Sequence, residues 1–338
     1  MKEHSTRRGQ DSLRRWARDL ADSRFLRRRG AWLGERTGYG WLDDGRSSSE
    51  FSPWNSSSWS GFSPWHPFSP GTFDGHPHGV RVPPKDDQRL RFFSLNVAHG
   101  RRNSPENPFY RRRTVQRNIS AVADTVKALG PDIVALQEAD GPSSWSGNFD
   151  HVASLAEQAE LMSHYRGDHN SVNLGRFNLA SGTALLSRRP LQDPLSHRFG
   201  MSWRDTKGFV VATVPVPEWD DFEVDVVSVH LDFLTPRIRR KQILHMVERL
   251  VYRRRPMVLL GDLNCCFERE PASMELLADT LGLRAWEPEE RAPTFPSRRP
   301  RRRLDWILIS DELEFGGHHT VHVPLSDHLV LVADIHRK

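Results

Sequence analysis

The stretch "LLGDLNCC" at residues 259–266 decides how the rest of the chain is interpreted. Its leucines end the apolar run "PMVLL", which is typical of a buried β-strand. Asp262 then follows, although a lone charge at the end of a buried strand costs free energy. Residues two apart on an extended strand share a face, so Asp262 and Asn264 would point the same way if the backbone stays extended. We expect Cys265 and Cys266 only to pack beside this strand.

Polar side chains follow other apolar runs in the same way. The runs "FFSL", "DIVALQ" and "VVSV" end in Asn96, Glu138 and His230, and Asp327 and His328 precede the last apolar run. Each feature alone is explained by a strand cap or a turn, but the whole series indicates a functional site.

The residues of that site bear on which metal it would bind. Carboxylates such as Glu138 and Asp327 are hard oxygen donors that suit Mg²⁺ or Mn²⁺. The histidines of "GGHHTVH" (316–322) suggest zinc instead, but no fourth ligand stands at a spacing typical of zinc sites.

Helical and strand patterns alternate along the second part of the chain. The sequence patterns predict helices over 111–129, near 149–162, over 235–254 and over 273–281. Several of the intervening strands are apolar throughout and need cover on both faces. The sequence therefore favours sheets packed together with helices outside.

The 338-residue chain divides into two regions of different composition. Its net charge of +5 arises in residues 1–85, which hold 14 basic and 9 acidic residues, whereas residues 86–338 are balanced. We expect residues 1–85 to be a disordered leader, basic and rich in Ser, Pro and Trp, with a short amphipathic helix within 1–30 and two "FSPW" repeats within 46–79. Residues 86–338 form the predicted folded domain.

Composition also indicates where in the cell the protein would be found. The two adjacent cysteines form no disulfide framework, and neither an apolar signal core nor a membrane-spanning run is present in the sequence. We therefore expect a cytoplasmic location and a monomer. The basic residues of 1–30 suggest peripheral contact with anionic surfaces.

From residue 89 onward the chain resembles the endonuclease/exonuclease/phosphatase superfamily, also called deoxyribonuclease I-like. The resemblance is carried, in order, by "SLNV", "DIVALQE", "SGTALLSRRP", "VVSVHL", "LLGDLN", "RLDWIL" and "LSDHLVLVADI". It implies an α/β (α+β) four-layer sandwich, with two packed mixed β-sheets flanked by helices. It also implies hydrolysis of a phosphodiester or phosphomonoester by in-line water attack, dependent on Mg²⁺ or Mn²⁺.

The resemblance assigns a role to each matching position. Glu138 resembles the principal metal ligand, assisted by Asn96, and Asp327 resembles a metal-linked carboxylate. The remaining positions resemble catalytic groups: Asp262 for the attacking water, Asn264 and His328 for the phosphate, His230 for the phosphate or leaving oxygen, and Asp305 as the acid that holds His328.

One departure leaves the number of metals open. Some nucleases of the superfamily carry an acid two residues after the first-strand Asn, where this chain has Ala98, and this favours one metal. His99, Arg101 and Arg102 follow and are candidates for substrate contact.

The substrate stays open among several classes. A nuclease acting on DNA or RNA ends is one alternative, supported by "RRPRRR" at 298–303. A lipid-phosphate or inositol-phosphate hydrolase held at an anionic surface by the leader is another. A non-catalytic binding module is a third, which the complete set of site residues disfavours.

Overall fold

The computed structural model describes residues 82–84, 88–104, 110–174, 177–201, 206–266, 269–286 and 292–338. The predicted leader helix, the "FSPW" repeats and almost all of the predicted 1–85 leader lie outside these residues. Val82 packs against the folded core, and the Pro83 carbonyl accepts a 2.7 Å hydrogen bond from Arg91.

Thirteen strands are present in the described residues. They form a seven-stranded first sheet and a six-stranded second sheet. The first sheet contains β1 (Leu90–Asn96), β2 (Ile133–Asp140), β3 (Ser163–Arg166), β4 (Asn170–Leu174), β5 (Phe177–Ser187), β12 (Leu313–Val321) and β13 (Val330–Arg337). The second sheet contains β6 (Gln192–Arg198), β7 (Gly208–Val216), β8 (Phe222–His230), β9 (Met257–Asp262), β10 (Leu283–Ala285) and β11 (Asp305–Ser310).

Both sheets are mixed and follow related topologies. The first sheet has the order β12-β13-β1-β2-β5-β3 with β4 paired to β5, and the second has the order β10-β11-β9-β8-β7-β6. Each sheet has one parallel pair near its centre, β1–β2 and β8–β9, and the other pairings are antiparallel. Parallel neighbours bring their carboxyl ends to one edge, which positions the polar residues that end these strands.

In the part of the chain that the structure describes, four α-helices lie outside the sheets: α1 (Arg112–Leu129), α2 (His151–Gln158), α3 (Pro236–Leu250) and α4 (Pro271–Leu281). Three buried apolar clusters separate the layers: one between α1, α2 and the first sheet, one between the two sheets, and one between the second sheet, α3 and α4. This confirms the predicted four-layer sandwich of two packed mixed sheets flanked by helices.

The helix limits follow from local chemistry. Helix α1 buries Val115, Ile119 and Val122 on one face and ends at Gly130, whose φ of 59° is the left-handed conformation that glycine adopts readily. Helix α2 begins after Asp150, whose carboxylate accepts hydrogen bonds from the backbone N–H groups of Val152 and Ala153. Helix α2 is shorter than the predicted span near 149–162.

The sequence patterns did not predict β3, β4, β6, β10 and β12. Most of these strands lie at or near a sheet edge, and their side chains are largely half-buried or exposed, so they lack a continuous apolar run. No helix within the described ranges combines the length and apolar character that a membrane crossing needs.

Candidate active site

The ends of four central strands bring the predicted polar residues together. Asn96 ends β1, His230 ends β8 and Asp262 ends β9, whereas Asp305 begins the antiparallel β11. In the second sheet, Asp262 is paired with His230 on one side and with Asp305 on the other. The backbone register therefore places these three side chains in one row.

Asp262 is the centre of this cluster and is almost completely buried, at 1% exposure. Its Oδ2 accepts a hydrogen bond of 3.1 Å from Asn96 Nδ2, which joins the two sheets. The same oxygen lies 3.4 Å from His230 Nε2 and 3.8 Å from His328 Nε2. Two imidazoles and an amide thus surround one carboxylate oxygen.

A second buried carboxylate, that of Asp305, contacts the Nδ1 side of the His328 ring. Asp305 Oδ2 lies 2.8 Å from His328 Nδ1 and accepts a 2.5 Å hydrogen bond from the Thr294 hydroxyl. The Phe295 ring packs against the imidazole with 4.8 Å between centroids. Nδ1 therefore carries a proton toward Asp305, and Nε2 faces Asp262.

The charge states of this cluster are shifted by burial and by close neighbours. Burial lowers the pKa of His328, but the Asp305 and Asp262 carboxylates outweigh it and raise that pKa to about 10. Burial raises the pKa of Asp262, while cationic His328 opposes this shift and Asp305 adds to it. His328 is thus a cation at neutral pH, and Asp262 binds a proton more readily than an ordinary aspartate.

Glu138 lies within β2 and does not end it, in contrast to the sequence prediction. The strand continues to Asp140, and a bulge between Leu136 and Ala139 leaves Glu138 with a φ of 51°. Bulges redirect a side chain without ending a strand, a device common near active sites.

Positive and polar groups surround the Glu138 carboxylate. Its oxygens lie 3.5 Å from Lys207 Nζ, 3.5 Å from His99 Nε2 and 3.9 Å from His230 Nε2. Burial raises the pKa of Glu138, but the charges of His99 and Lys207 outweigh it and hold the pKa well below its usual range. Glu138 is therefore ionised at any physiological pH.

Lys207 also lies beside His230, whose pKa is lowered by burial and by the Lys207 charge. The ammonium lies 3.0 Å from His230 Nε2 and 3.2 Å from Nδ1. Burial lowers the pKa of His230 well below its ordinary value, and Lys207 lowers it further. At neutral pH, His230 is therefore uncharged, whereas His328 is a cation.

The structure places Asn264 in a turn and Asp327 beside Arg101. The backbone turns at Asn264, with a φ of 51°, and the Asn264 backbone N–H donates to Asp262 Oδ1 over 3.0 Å. The condition under which Asp262 and Asn264 would point the same way, an extended backbone, is therefore not met, and the turn instead gives the buried carboxylate a hydrogen-bond donor. Asp327 Oδ2 accepts a 2.7 Å hydrogen bond from Arg101, and its assignment as a metal-linked carboxylate remains a prediction.

Both cysteines are free thiols. Cys265 is buried in the cluster beneath α3 and α4, and Cys266 packs against the same cluster while half-buried. Burial raises the pKa of Cys265 above its ordinary value, so this thiol is neutral and packs as a small apolar side chain.

Two groups of ligand atoms are candidates for a divalent ion. The first consists of Asp262, Asp305 and His328, which offer atoms within 4.8 Å of one another. His328 is already protonated and hydrogen-bonded to Asp305 in this group, so a metal cation bound there would be repelled by the imidazolium. The second group is centred on Glu138, an ionised carboxylate that is about one-fifth exposed and already attracts Lys207. Glu138 is the better match to a hard cation.

The sequence patterns missed several residues of the site. Asp140 lies two positions after Glu138, a spacing that places two side chains on the same face of a strand and could have indicated a common site. Lys207 stands just before β7, and Thr294 precedes β11 by eleven residues, with no local signal in either case. His99 was noted only as a candidate for substrate contact.

Comparison with known proteins bears on the fold and the family. A crystal structure from Beutenbergia cavernae, titled endonuclease/exonuclease/phosphatase, aligns with 20% identity and a TM-score of 0.59 over 74% of this chain and 72% of that one. The catalytic domain of human Nocturnin with bound sulfate aligns with 19% identity and a TM-score of 0.57 over 74% and 95%. A mannosyl-6-phosphatase from Bacteroides thetaiotaomicron aligns with 13% identity and a TM-score of 0.55 over 73% and 99%.

At these identities the structural likeness shows the shared fold alone. No curated protein matches the sequence. A model of the endonuclease/exonuclease/phosphatase family, however, matches residues 93–328, more than half of the chain, from within β1 to His328. The chain therefore belongs to the endonuclease/exonuclease/phosphatase family.

Proposed function

We propose that this protein is a divalent-metal-dependent phosphoesterase that hydrolyses its substrate by in-line attack of water. The observation that carries the proposal is the Asp262 cluster: a buried carboxylate of raised pKa between a neutral His230 and a cationic His328. Structural stability alone does not account for gathering these groups, since burying charges is costly. Phosphoester hydrolysis needs a proton acceptor and positive charge in one place.

Each residue has a task in this proposal. Asp262 accepts the proton of the attacking water, because its raised pKa brings its basicity nearer to neutral pH. Cationic His328, held by Asp305, donates a hydrogen bond to a phosphoryl oxygen and offsets its negative charge. Neutral His230 lies beside the Asp262 oxygen and contacts the phosphate or the leaving oxygen.

The metal proposed for this site would be held by Glu138, assisted by Asn96, which pairs with Gln137 on the neighbouring strand. When bound, such an ion polarises a phosphoryl oxygen and stabilises developing charge. Mg²⁺ and Mn²⁺ match the oxygen donors, and Lys207 already provides a positive charge at Glu138 without a metal.

The test is a panel of phosphoesters assayed with the purified chain, with and without EDTA, and with Mg²⁺ or Mn²⁺ restored. It contains DNA, RNA, nucleotides, inositol phosphates, sphingomyelin and a chromogenic diester. We expect turnover of at least one substrate that depends on added metal and disappears in His328→Ala. No turnover of any member by a folded protein would favour the binding-module alternative.

A nuclease is the more specific candidate, and the placement of arginines supports it. Arg302 lies over the Phe295 ring, 4.9 Å from its centroid, and Phe295 packs on His328. A groove of about 1200 Å³ along α1 is lined by Arg102, Arg111, Arg112, Arg113 and Arg117, and Arg101 beside it contacts Asp327. Several guanidinium groups, of which Arg302 lies one contact away from His328 and Arg101 touches Asp327, suit a substrate with several phosphates.

Salt dependence separates this candidate from a single-phosphate substrate. If several phosphates are bound, KM for a short oligonucleotide should rise steeply with salt, and Arg113→Gln with Arg117→Gln should reduce that slope. KM for a chromogenic diester should change little in the same double variant. Equal effects on both substrates would contradict binding of a longer strand in the groove.

A further inference from the structure

His99 occupies a tight turn directly after the first strand of the site. Ala98, His99 and Gly100 have φ values of 47°, 52° and 71°, so three successive residues adopt the left-handed conformation. This conformation is uncommon for a residue other than glycine, and strained backbone of this kind gathers at functional sites. The turn directs the His99 ring toward Glu138.

Two further side chains hold the ring in one orientation. Asp140 is completely buried, and its Oδ1 lies 2.7 Å from His99 Nδ1. Its Oδ2 accepts a 2.9 Å hydrogen bond from Trp145 Nε1, and the Trp145 ring packs on the imidazole with 4.6 Å between centroids. Trp145 therefore holds Asp140, and Asp140 holds His99 through a proton on Nδ1, which leaves Nε2 as the nitrogen that can exchange its proton for a metal ion.

The other ring nitrogen faces the principal carboxylate of the site. His99 Nε2 lies 3.5 Å from Glu138 Oε2, and both side chains are about one-fifth exposed, so an ion from solvent can reach them. Neighbouring ligand atoms on an octahedral ion are about 3 Å apart at the usual bond lengths of Mg²⁺. The two atoms thus have nearly the separation of adjacent ligands of one metal.

We propose that His99 is a ligand of the divalent ion together with Glu138, and that Asp140 and Trp145 position it. A carboxylate that fixes one imidazole nitrogen while the other binds metal is a common arrangement around protein metal sites. An imidazole in the ligand set shifts preference from Mg²⁺ toward softer ions, so the site should favour Mn²⁺. The inference rests on the proposed metal dependence and adds a nitrogen ligand to it.

The test measures metal binding directly, without turnover. The full chain is loaded with Mn²⁺, its affinity is measured by electron paramagnetic resonance, and pulsed spectra record coupling to ¹⁴N of a coordinated imidazole. Mg²⁺ affinity follows from competition. The main variant is His99→Asn, because asparagine tolerates a left-handed backbone and its amide can keep the hydrogen bond to Asp140 while Nε2 is removed.

Wild-type protein should show the ¹⁴N coupling, and His99→Asn should lose it and bind Mn²⁺ about tenfold or more weakly, with a smaller loss for Mg²⁺. Asp140→Asn should weaken Mn²⁺ binding but retain the coupling, since it disturbs only the orientation of the ring. His322→Asn, an exposed histidine outside the site, is the matched control and should behave as wild type.

The possible outcomes separate the two proposals. If Mn²⁺ binds but the coupling persists in His99→Asn, or is absent from the wild type, His99 is not a ligand, and the phosphoesterase proposal is unaffected. If the coupling is lost only in His230→Asn, the nitrogen ligand is His230. If the folded wild type binds no Mn²⁺, both the ligand assignment and the proposed metal dependence fail.

Discussion

Replacing Asp305 with asparagine tests whether a cationic His328 is needed for activity. The change keeps the shape of the side chain and removes the charge that lies 2.8 Å from His328 Nδ1. Unlike charges about 4 Å apart interact by about 4 kcal/mol at the effective dielectric constant usual for protein sites. Because 1.36 kcal/mol corresponds to one pH unit, about 4 kcal/mol corresponds to roughly three pH units.

That loss returns the pKa of His328 from about 10 to near the ordinary value of histidine. At pH 8 the imidazole of the wild type is almost fully protonated, whereas in Asp305→Asn, with a pKa about three units lower, roughly one molecule in ten retains the proton. We therefore expect kcat/KM at pH 8 to fall about tenfold or more, with a smaller loss near pH 6. The alkaline limb of the pH profile should move to lower pH.

The assay is kcat/KM for the best substrate of the phosphoester panel between pH 5.5 and 9.5, in a double-mutant cycle with His328→Ala. Asp305 and His328 act as one unit in this reasoning, so the double variant should be little worse than His328→Ala alone. If the two losses multiply, the residues act independently. An alkaline limb that stays in place in Asp305→Asn would also refute the electrostatic argument.

The pH dependence of the free energy of unfolding provides a second test of the interaction between Asp305 and His328. The pKa of folded His328 lies above that of the unfolded chain, so its contribution to stability is complete below about pH 6.5 and is lost as pH rises toward about 10. The difference in unfolding free energy between wild type and Asp305→Asn should therefore be largest at low pH. Breaking a buried pair of this kind costs about 3–5 kcal/mol.

Three further predictions follow from the same site. Glu138→Ala should abolish turnover and weaken metal binding while the far-ultraviolet circular dichroism stays that of the wild type, and undiminished activity would exclude Glu138 as a metal ligand. Asp262→Asn should lower kcat by about 10²–10⁴-fold and remove the acidic limb of the pH profile, because the proton acceptor is lost; a retained acidic limb would assign it to another group. A chain starting at residue 82 should fold and hydrolyse a small diester at the wild-type rate, and failure to fold would show that the preceding residues contribute to the core.

The central strands and their functional ends could be predicted because one physical requirement dictates both. Strands covered on two faces must be apolar, so a polar side chain such as Asp262 or His230 at their ends stands out in the sequence. The pairing of His230 with Asp262 and of Asp262 with Asp305 then follows from sheet register. Local sequence therefore identified the polar strand ends, and sheet register decides which of them meet.

The remaining contacts depend on structure that has no local pattern. The bulge at Glu138 changes the direction of one side chain while the strand continues, and nothing in "DIVALQEAD" marks it. Lys207 reaches Glu138 and His230 from the start of a strand in the other sheet, and Thr294 reaches Asp305 from a loop. Edge strands such as β6 were missed because solvent covers part of them, which removes the need for apolar residues.

The two His–Asp pairs of the site are placed differently with respect to the two sheets, and this has a consequence for catalysis. Asp140 and His99 belong to the first sheet and the turn after its strand β1, whereas Asp305 lies on the second sheet and His328 lies in the loop before β13 of the first sheet. The contact between His328 and Asp305 and the hydrogen bond from Asn96 to Asp262 both connect the two sheets, which the apolar cluster between them also holds together. Close packing fixes the spacing of the sheets, because dense apolar interiors deform little. The distance between the Glu138 centre and the Asp262 centre is therefore set by the inter-sheet core, so a site assembled from distant segments can keep the fixed geometry that the proposed in-line attack would require.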